Sequence, residues 1–213
     1  MSSLGGNPRE IIPTLSLDNV GRGISWLEQV FGFGVESSQA SFGTTMVLGD
    51  QRIAVSNSLS IAGAVRLHHL ALSVPEVDEA MTDCLLRGGK LAKSMTPDGP
   101  LEIPEFWESG VRYVFFEGPE GILIELCAKK KSKSETTWGH SHLGVMCQDV
   151  GKERQVFESL GCNRVAEYQL NQPNGTTHVT FLEFGRSLVE LFSGEQTGLC
   201  NSLSGWNGCA MQH

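Results

Sequence analysis

The sequence lacks the features that mark several large classes of protein. It has no run of about 18 apolar residues, so no segment is predicted to span a membrane. Its first ten residues, MSSLGGNPRE, contain no apolar stretch of the kind found in secretory signals. Positive charge is scarce, because 16 Lys and Arg stand against 24 Asp and Glu and give a net charge of −8. Without a basic stripe, neither nucleic acid nor a membrane surface is expected as a partner.

Paired cysteine motifs are also missing. The six cysteines include no Cys-x-x-Cys pair, and four of them fall within or at the ends of predicted helices and strands: Cys84, Cys127, Cys147 and Cys162. A free cysteine in such a position behaves as a small apolar residue. The pattern predicts a reducing, cytoplasmic setting, in which only Cys200 and Cys209 are candidates for a disulfide.

The chain instead contains one structural pattern written three times. Each copy has a strand, a short polar step, an amphipathic helix that ends at glycine, and then three strands. The polar steps read SLDNV, SVPEV and CQDV. The copies, called here the first, second and third units, cover about residues 10–57, 67–128 and 138–194. The second unit is interrupted by PDGPLEIPEFWESG, an insert rich in proline and glycine that is predicted to be a loop exposed to solvent, with a lid as the alternative.

The second and third units each place a histidine and a glutamate at matching positions. Alternate residues of a strand face opposite sides of a sheet, so His69 lies opposite the apolar face that should pack on the helix. Glu125 occupies the last strand of the same unit. His142 and Glu190 occupy the same positions in the third unit. The first unit has no ligand there, since Ile12 stands at the histidine position.

Two imidazoles and two carboxylates that converge in a sheet cavity suit a borderline divalent metal. Zinc, nickel, cobalt, manganese and iron(II) all accept such a mixed set of nitrogen and oxygen donors. A histidine at the start of a strand is more often a structural residue, but two pairs in equivalent positions favour a metal role more than one pair does. His68 and His140 are out of register with these pairs and are predicted to be surface residues at strand ends.

Two segments resemble the vicinal oxygen chelate superfamily, which includes glyoxalase I, methylmalonyl-CoA epimerase, extradiol dioxygenases and the bleomycin resistance proteins. IIPTLSLDNVGRGISWLEQVFGFGV is similar to the superfamily's opening strand and helix, and RYVFFEGPEGILIEL to its closing hairpin. The resemblance covers about residues 10–193. It implies an α+β fold in which βαβββ modules, here three copies, pair into a curved, cup-shaped mixed sheet with helices on the outer face.

The resemblance also implies a site and a chemistry. The ligands of the superfamily's metal enzymes come from the first and last strand of each module, which here are His69, Glu125, His142 and Glu190. Glu125 or Glu190 would be the catalytic base. The expected function is that of a glyoxalase-like metalloprotein, a lyase or isomerase that acts on a small oxygen-chelating substrate through a metal-stabilised enediolate. An extradiol-type dioxygenase and a metal-free binding or resistance protein of the same fold are the alternatives.

The pairing of the units is predicted less directly. The motifs of each unit, compared with those of the two halves of the superfamily's cup, favour a cup built from the first and second units, over residues 8–128. Residues 129–137 would then form a linker, the third unit at 138–194 would be half of a second cup, and 195–213 would be a loose tail. In this arrangement a homodimer would complete the third unit. The other arrangement pairs the second unit with the third and places all four ligands in one cup.

Overall fold

The described part of the chain is an α+β protein with two sheets. The structure, a computed structural model, describes residues 9–39, 43–57, 67–130, 137–172, 175–193 and 206–212, the last of these as backbone only. Of the helices in these ranges, none is long and apolar enough to cross a membrane.

The elements follow the order strand, helix and three strands in each unit. The first unit consists of β1 (Glu10–Ser16), α1 (Val20–Trp26, with a π-helical last turn at Leu27–Phe31), β2 (Gly34–Gln39), β3 (Gly43–Leu48) and β4 (Gln51–Ser56). The second consists of β5 (His69–Ser73), α2 (Val77–Leu86), β6 (Leu101–Ile103), β7 (Val111–Glu117) and β8 (Leu123–Lys129). The third consists of β9 (Gly139–Cys147), α3 (Val150–Ser159), β10 (Asn163–Gln172), β11 (Gly175–Phe184) and β12 (Ser187–Ser193), and a last strand, β13 (Trp206–Gln212), follows it.

Eight strands of the second and third units form one curled, mixed sheet. Its order is β10-β11-β12-β9-β5-β8-β7-β6. The two units meet where β5 pairs with β9 in antiparallel fashion. Each of these strands pairs on its other side with the closing strand of its own unit, β8 or β12, in parallel. The first strands of both units therefore lie side by side at the centre of the sheet.

The preference for a cup made of the first and second units is wrong. The first unit forms a separate sheet with the order β13-β1-β4-β3-β2, and β5 pairs with β9 of the third unit instead. The third unit is therefore completed within the chain, and the reason given for a homodimer no longer applies. The residues of a sequence motif do not decide which strands pair at their edges, because edge pairing depends on backbone groups that every strand offers.

The first unit covers the outer face of the eight-stranded sheet. Val114 and Phe116 of β7 point outward and are fully buried. Phe31 of the first unit packs edge-on against Phe116, with 5.8 Å between the ring centroids. One continuous core contains buried side chains from all three units. The apolar outer face of the second unit needs a cover, and the apolar face of the first unit supplies it.

Hydrogen bonds fix the first unit in this place. The backbone N–H of Ile11 donates to the Ser187 hydroxyl at 2.8 Å. The backbone N–H of His140 donates to the Asp50 carboxylate at 2.7 Å. The side chain of His140 contacts Gln51 through Nδ1 at 2.6 Å, and its Nε2 accepts the backbone N–H of Leu188 at 2.9 Å. His140 is therefore a half-buried link between the two sheets, whereas the sequence had predicted a surface residue at a strand end.

Two further expectations differ from the structure. The insert was predicted to be a loop, but β6 lies within it, and the preceding segment KLAKSM makes only an isolated bridge from Leu91 to Phe116. The tail was predicted to be loose, but residues 206–212 form β13 along the edge of β1. Most of the predicted linker at 129–137 lies outside the described residues, as does Cys200, one of the two cysteines that were candidates for a disulfide.

Replacement of Phe116 by alanine tests whether the two sheets share one core. Phe116→Ala should lower the free energy of unfolding by about 3–5 kcal/mol, because a fully buried ring is removed from a cluster that all three units share. Chemical denaturation followed by fluorescence and circular dichroism measures this. Leu86→Ala, at a position 81% exposed, is the control and should change the value by less than about 0.5 kcal/mol. Two separate transitions, of which only one shifts, would contradict the shared core.

Candidate metal centre

The strand register places a histidine and a glutamate side by side in each of two units. Ala71, two residues after His69, pairs with Glu125. Gly144, two residues after His142, pairs with Glu190. In the first unit the same register pairs Thr14, two residues after Ile12, with Ala54. The three units therefore share one strand geometry, and the first carries apolar residues where the other two carry candidate ligands.

The central β5–β9 pair brings the two sets together. The Nε2 atoms of His69 and His142 are 3.2 Å apart. Nε2 of His69 lies 3.2 Å from the Glu125 carboxylate and 3.7 Å from that of Glu190. Nε2 of His142 shows the reverse, 3.2 Å from Glu190 and 3.7 Å from Glu125. All four residues proposed from the sequence thus converge on one point.

These distances suit a single metal ion. Four donors placed 2.0–2.2 Å from an ion at tetrahedral angles lie roughly 3.3–3.6 Å apart, which is close to the separations found here. The ligand atoms of His69, His142 and Glu190 all lie within 4.8 Å of one another. This buried triad could bind a metal ion, and Glu125 is positioned to be a fourth ligand.

The electrostatics of the cluster also suit a cation. The four residues are only 3–8% exposed, so both carboxylates are held away from water. Among the described residues, neither carboxylate has a lysine or arginine within 4 Å, and their ion-pair partners are the two histidines. Two desolvated carboxylates without a permanent cation are costly, and a divalent ion would neutralise them.

Neighbouring groups offer each imidazole a hydrogen-bond partner at Nδ1. Nδ1 of His69 lies 2.9 Å from Nδ1 of His68, and Nδ1 of His142 lies 3.1 Å from the Ser141 hydroxyl. The Cys127 thiol in turn donates to that hydroxyl at 3.0 Å. If each Nδ1 carries the proton and donates it to its neighbour, each Nε2 is left with a free lone pair. The residue before each candidate ligand therefore orients the ring.

The same environment shifts the pKa values of the group. Burial lowers the pKa of His68 to about 3, with a further contribution from His69. His68 is therefore neutral and able to accept a hydrogen bond. Burial opposes the charged form of His142, but Glu190 and Glu125 outweigh it and raise the pKa of His142 well above its usual value. Burial alone would raise the pKa of Glu190, and His142 and His69 bring it below its usual value.

Comparisons with known proteins identify the fold. No family model matches the sequence, and no curated protein matches it. Solved structures do match. The structure of a glyoxalase I mutant from Zea mays has a TM-score of 0.64 at 13% identity, over 89% of this chain and 70% of that one. A putative dioxygenase from Bacillus subtilis has a TM-score of 0.50 at 13% identity, over 85% of this chain and 61% of that one.

This chain has the vicinal oxygen chelate fold. Methylmalonyl-CoA epimerase from Mycobacterium tuberculosis is also among the similar structures, with a TM-score of 0.47 at 17% identity, over 67% of this chain and 97% of that one. The glyoxalase I structure, with its TM-score of 0.64, confirms the fold resemblance that the sequence suggested. At identities this low the comparisons establish the fold, and the chemistry has to be argued from the site.

A glycine makes room for the site at the centre of this vicinal oxygen chelate fold. Gly144 pairs with His69 across the two central strands. A Cβ atom at Gly144 would lie 2.0 Å from Cε1 of His69 and 2.4 Å from both ring nitrogens. The His69 ring therefore lies flat over a position that only glycine can occupy. A lone glycine in a predicted strand is the sequence signal for such a close approach.

The insert closes one side of the cup, although the sequence did not favour this position for it. It was predicted to be a loop exposed to solvent, but Phe106 is only 4% exposed and Trp107 is half-buried. Both rings pack on Phe181, with centroid distances of 5.4 Å for Phe106 and 4.8 Å for Trp107. Ring contacts between distant segments leave no periodic signal in the sequence, so pattern reasoning misses them.

His68 is another residue that the sequence interpretation misplaced. It was predicted to be a surface residue, but its ring contacts His69, Phe115 and Phe192, with centroid distances of 5.2, 6.5 and 5.4 Å. His68 precedes β5 and so does not follow the alternation of the strand. His69 is therefore a candidate ligand, and His68, the residue before it, orients its ring.

A single methyl group added at Gly144 tests the geometry of the site. Gly144→Ala should displace the His69 ring, weaken metal uptake and destabilise the protein by about 1–3 kcal/mol. Metal titration and thermal unfolding measure the two effects. Gly151→Ala is the matched control, because a Cβ there meets nothing closer than 3.4 Å and the position lies in α3. Unchanged metal uptake in Gly144→Ala would contradict the assigned position of His69.

Proposed function

We propose that this protein is a metal-dependent lyase or isomerase of the glyoxalase type, which acts on a small substrate with two neighbouring oxygen atoms. The observation that carries the proposal is the convergence of two imidazole nitrogens and two carboxylates at separations of 3.2–3.7 Å. We infer that His69, Glu125, His142 and Glu190 hold one divalent ion. The donor set admits zinc, nickel, cobalt, manganese and iron(II).

The bound ion would act as a Lewis acid toward the two oxygens of the substrate. The protein would supply the proton transfer. Glu125 and Glu190 line the same cavity as His142, so either carboxylate can reach a substrate there. Glu125 and Glu190 lie equally close to the two imidazoles. If His69, His142 and Glu190 hold the ion as a set of three, Glu125 is the carboxylate left to act on the substrate. We assign it the role of general base, which removes a proton from the carbon beside the chelating oxygens.

The three units and their pairing support this proposal. We infer that the chain contains three βαβββ modules, of which the second and third build the cup and the first serves as its cover. The matched region of the maize glyoxalase I mutant leaves out 11% of this chain, which is shorter than any single unit. A metal-free cup would be expected if the ligand-free first unit formed half of it, which would support the metal-free alternative. Since the cup is built from the other two units, that support is gone.

One observation favours a second candidate. Two histidines and one carboxylate are also the ligand set of non-haem iron oxygenases. His69, His142 and Glu190 form such a set, with Glu125 as an additional carboxylate. Oxygen consumption by the iron(II)-loaded protein with catechol as substrate would identify this activity.

A cytoplasmic location and a homodimer remain predictions.

Metal content tests the proposal most simply. The purified chain, after incubation with zinc or cobalt(II) and removal of the excess, should hold about one ion per molecule. His142→Ala and Glu190→Gln should hold much less, because each loses one of the three residues assigned to hold the ion. His178→Ala is the control, since His178 is exposed on β11, and it should keep the ion. No uptake by the unaltered protein under any of these conditions would overturn the proposal.

Proton exchange separates the two glutamates. With hydroxyacetone in D2O, the metal-loaded protein should catalyse exchange of the protons beside the carbonyl group, which NMR measures. Glu125→Gln should slow the exchange by about 10²–10⁴-fold while the ion is retained. A Glu125→Gln variant that exchanges protons at the original rate would rule out Glu125 as the base.

A further inference from the structure

A second cavity, called here the outer cavity, lies on the outer face of the third unit. Its volume is about 370 Å³, whereas the space beside the candidate metal ligands measures about 60 Å³. Cavities that hold small molecules typically measure about 300–1,000 Å³. Thr180 of β11 lines the outer cavity, and the next residue, Phe181, lines the space beside the metal ligands. Because successive residues of a strand point to opposite faces, the two cavities lie on opposite sides of the sheet.

Polar side chains form both walls of the outer cavity. One wall is the beginning of α3, with Asp149 at its N-cap and Arg154 in its second turn. The other wall is the outer face of β10 and β11, with Glu167, His178 and Thr180. Glu167 and Thr180 are paired across these two strands. The groove between helix and sheet is therefore lined by groups that can form hydrogen bonds.

Two buried polar groups of this cavity have no hydrogen-bond partner among the described residues. Thr180 is only 2% exposed, and its hydroxyl forms no hydrogen bond with any of them. Nε of Arg154 is also buried without a hydrogen-bond partner. Its ion pair with Glu158, at 3.8 Å, is too long for a hydrogen bond. Buried donors without partners lower stability, and a ligand in the outer cavity would supply partners to both.

The acidic residues of the outer cavity have cationic partners of their own. Asp149 accepts the backbone N–H of Lys152 at 3.0 Å, and the Lys152 ammonium group lies 3.4 Å from the same carboxylate. Glu167 forms an ion pair with Arg164 at 2.8 Å. The carboxylates of the walls are therefore engaged by other cations, and the Nε–H of Arg154 is left to bind a ligand.

This pair of donors suits a carboxylate. Arginine binds a carboxylate through two parallel N–H···O bonds, for which Nε–H is one of the donors. The hydroxyl of Thr180 can donate a further hydrogen bond to the same group. A phosphate dianion would fit less well, because Asp149 and Glu167 would repel its second negative charge. The walls therefore favour a ligand with one negative charge.

We propose that the outer cavity is a second binding site, which takes a small molecule that carries a single carboxylate. Arg154 binds the carboxylate through Nε–H, and Thr180 donates a hydrogen bond to it. This site goes beyond the proposed metal function and does not depend on it, because none of the candidate metal ligands lines the outer cavity.

Propionate and propionamide test this site without any knowledge of the natural ligand. They have nearly the same shape and differ in charge. Each is titrated into the full chain, labelled with ¹⁵N, at constant ionic strength, and NMR follows the Nε–H signal of Arg154 and the backbone N–H signal of Thr180. Propionate should shift both signals to saturation. Propionamide should bind at least about tenfold more weakly, because it cannot form a charge-assisted hydrogen bond. These signals are local, so binding at the metal centre is not mistaken for binding here.

Three variants separate the assigned contacts from a general effect of charge. Arg154→Gln should weaken propionate binding at least about tenfold, because it removes the guanidinium group. Thr180→Val, which keeps the shape of the side chain, should weaken binding about two- to tenfold through the loss of one hydrogen bond. Arg22→Gln is the matched control, since it removes one positive charge at an exposed position on α1, and its affinity should be unchanged.

Three results would overturn the proposed carboxylate site. The first is the absence of any saturable shift of the two signals with propionate. The second is an affinity for propionate that is equal to that for propionamide or is unaltered in Arg154→Gln. The third is tighter binding of inorganic phosphate, titrated as the dianion at mildly alkaline pH, which would replace the carboxylate by a phosphate as the ligand of the outer cavity.

Discussion

The antiparallel pairing of β5 with β9 is the constraint on which the rest of the structure depends. It joins the first strands of two units at their edges, so that His69 lies opposite Gly144 and Ala71 lies opposite His142. The two rings then meet over the centre of the sheet with their Nε2 atoms 3.2 Å apart. Each closing strand runs parallel to the first strand of its own unit and adds one carboxylate. If β5 and β9 lay in separate sheets, as one arrangement of the units required, each half would hold only one histidine and one glutamate.

The same pairing explains why the first unit is needed. A cup with a polar, ligand-bearing inner face has an outer face that is almost wholly apolar, and that face has to be covered. The first unit covers it with Phe31 and its neighbours, and hydrogen bonds from Ile11 and His140 hold it there. The burial of two carboxylates lowers stability. The continuous core that the three units share supplies the stability that such a site requires.

Sequence reasoning located the candidate ligands because it relied on a property that sequence encodes directly. Alternation along a strand decides which face a side chain occupies, and it placed His69 and His142 opposite the apolar face correctly. The pairing of the units was predicted wrongly because it depends on which apolar faces are left uncovered once all three units have folded. Which faces are left uncovered depends on contacts between residues far apart in the chain, such as that of Phe31 with Phe116. His68 and Phe106 were misplaced for a related reason, since neither belongs to a regular element whose period could reveal its direction.

The position of the metal itself tests the account most directly. A crystal structure of the zinc- or cobalt-loaded protein, with anomalous diffraction recorded at the metal absorption edge, would locate the ion without assumptions about activity. One strong anomalous peak is expected between Nε2 of His69, Nε2 of His142 and the Glu190 carboxylate, about 2.0–2.2 Å from each, with Glu125 beside it. A peak bound elsewhere, or one that engages only one of the two histidines, would contradict the claim that the second and third units build a single metal centre.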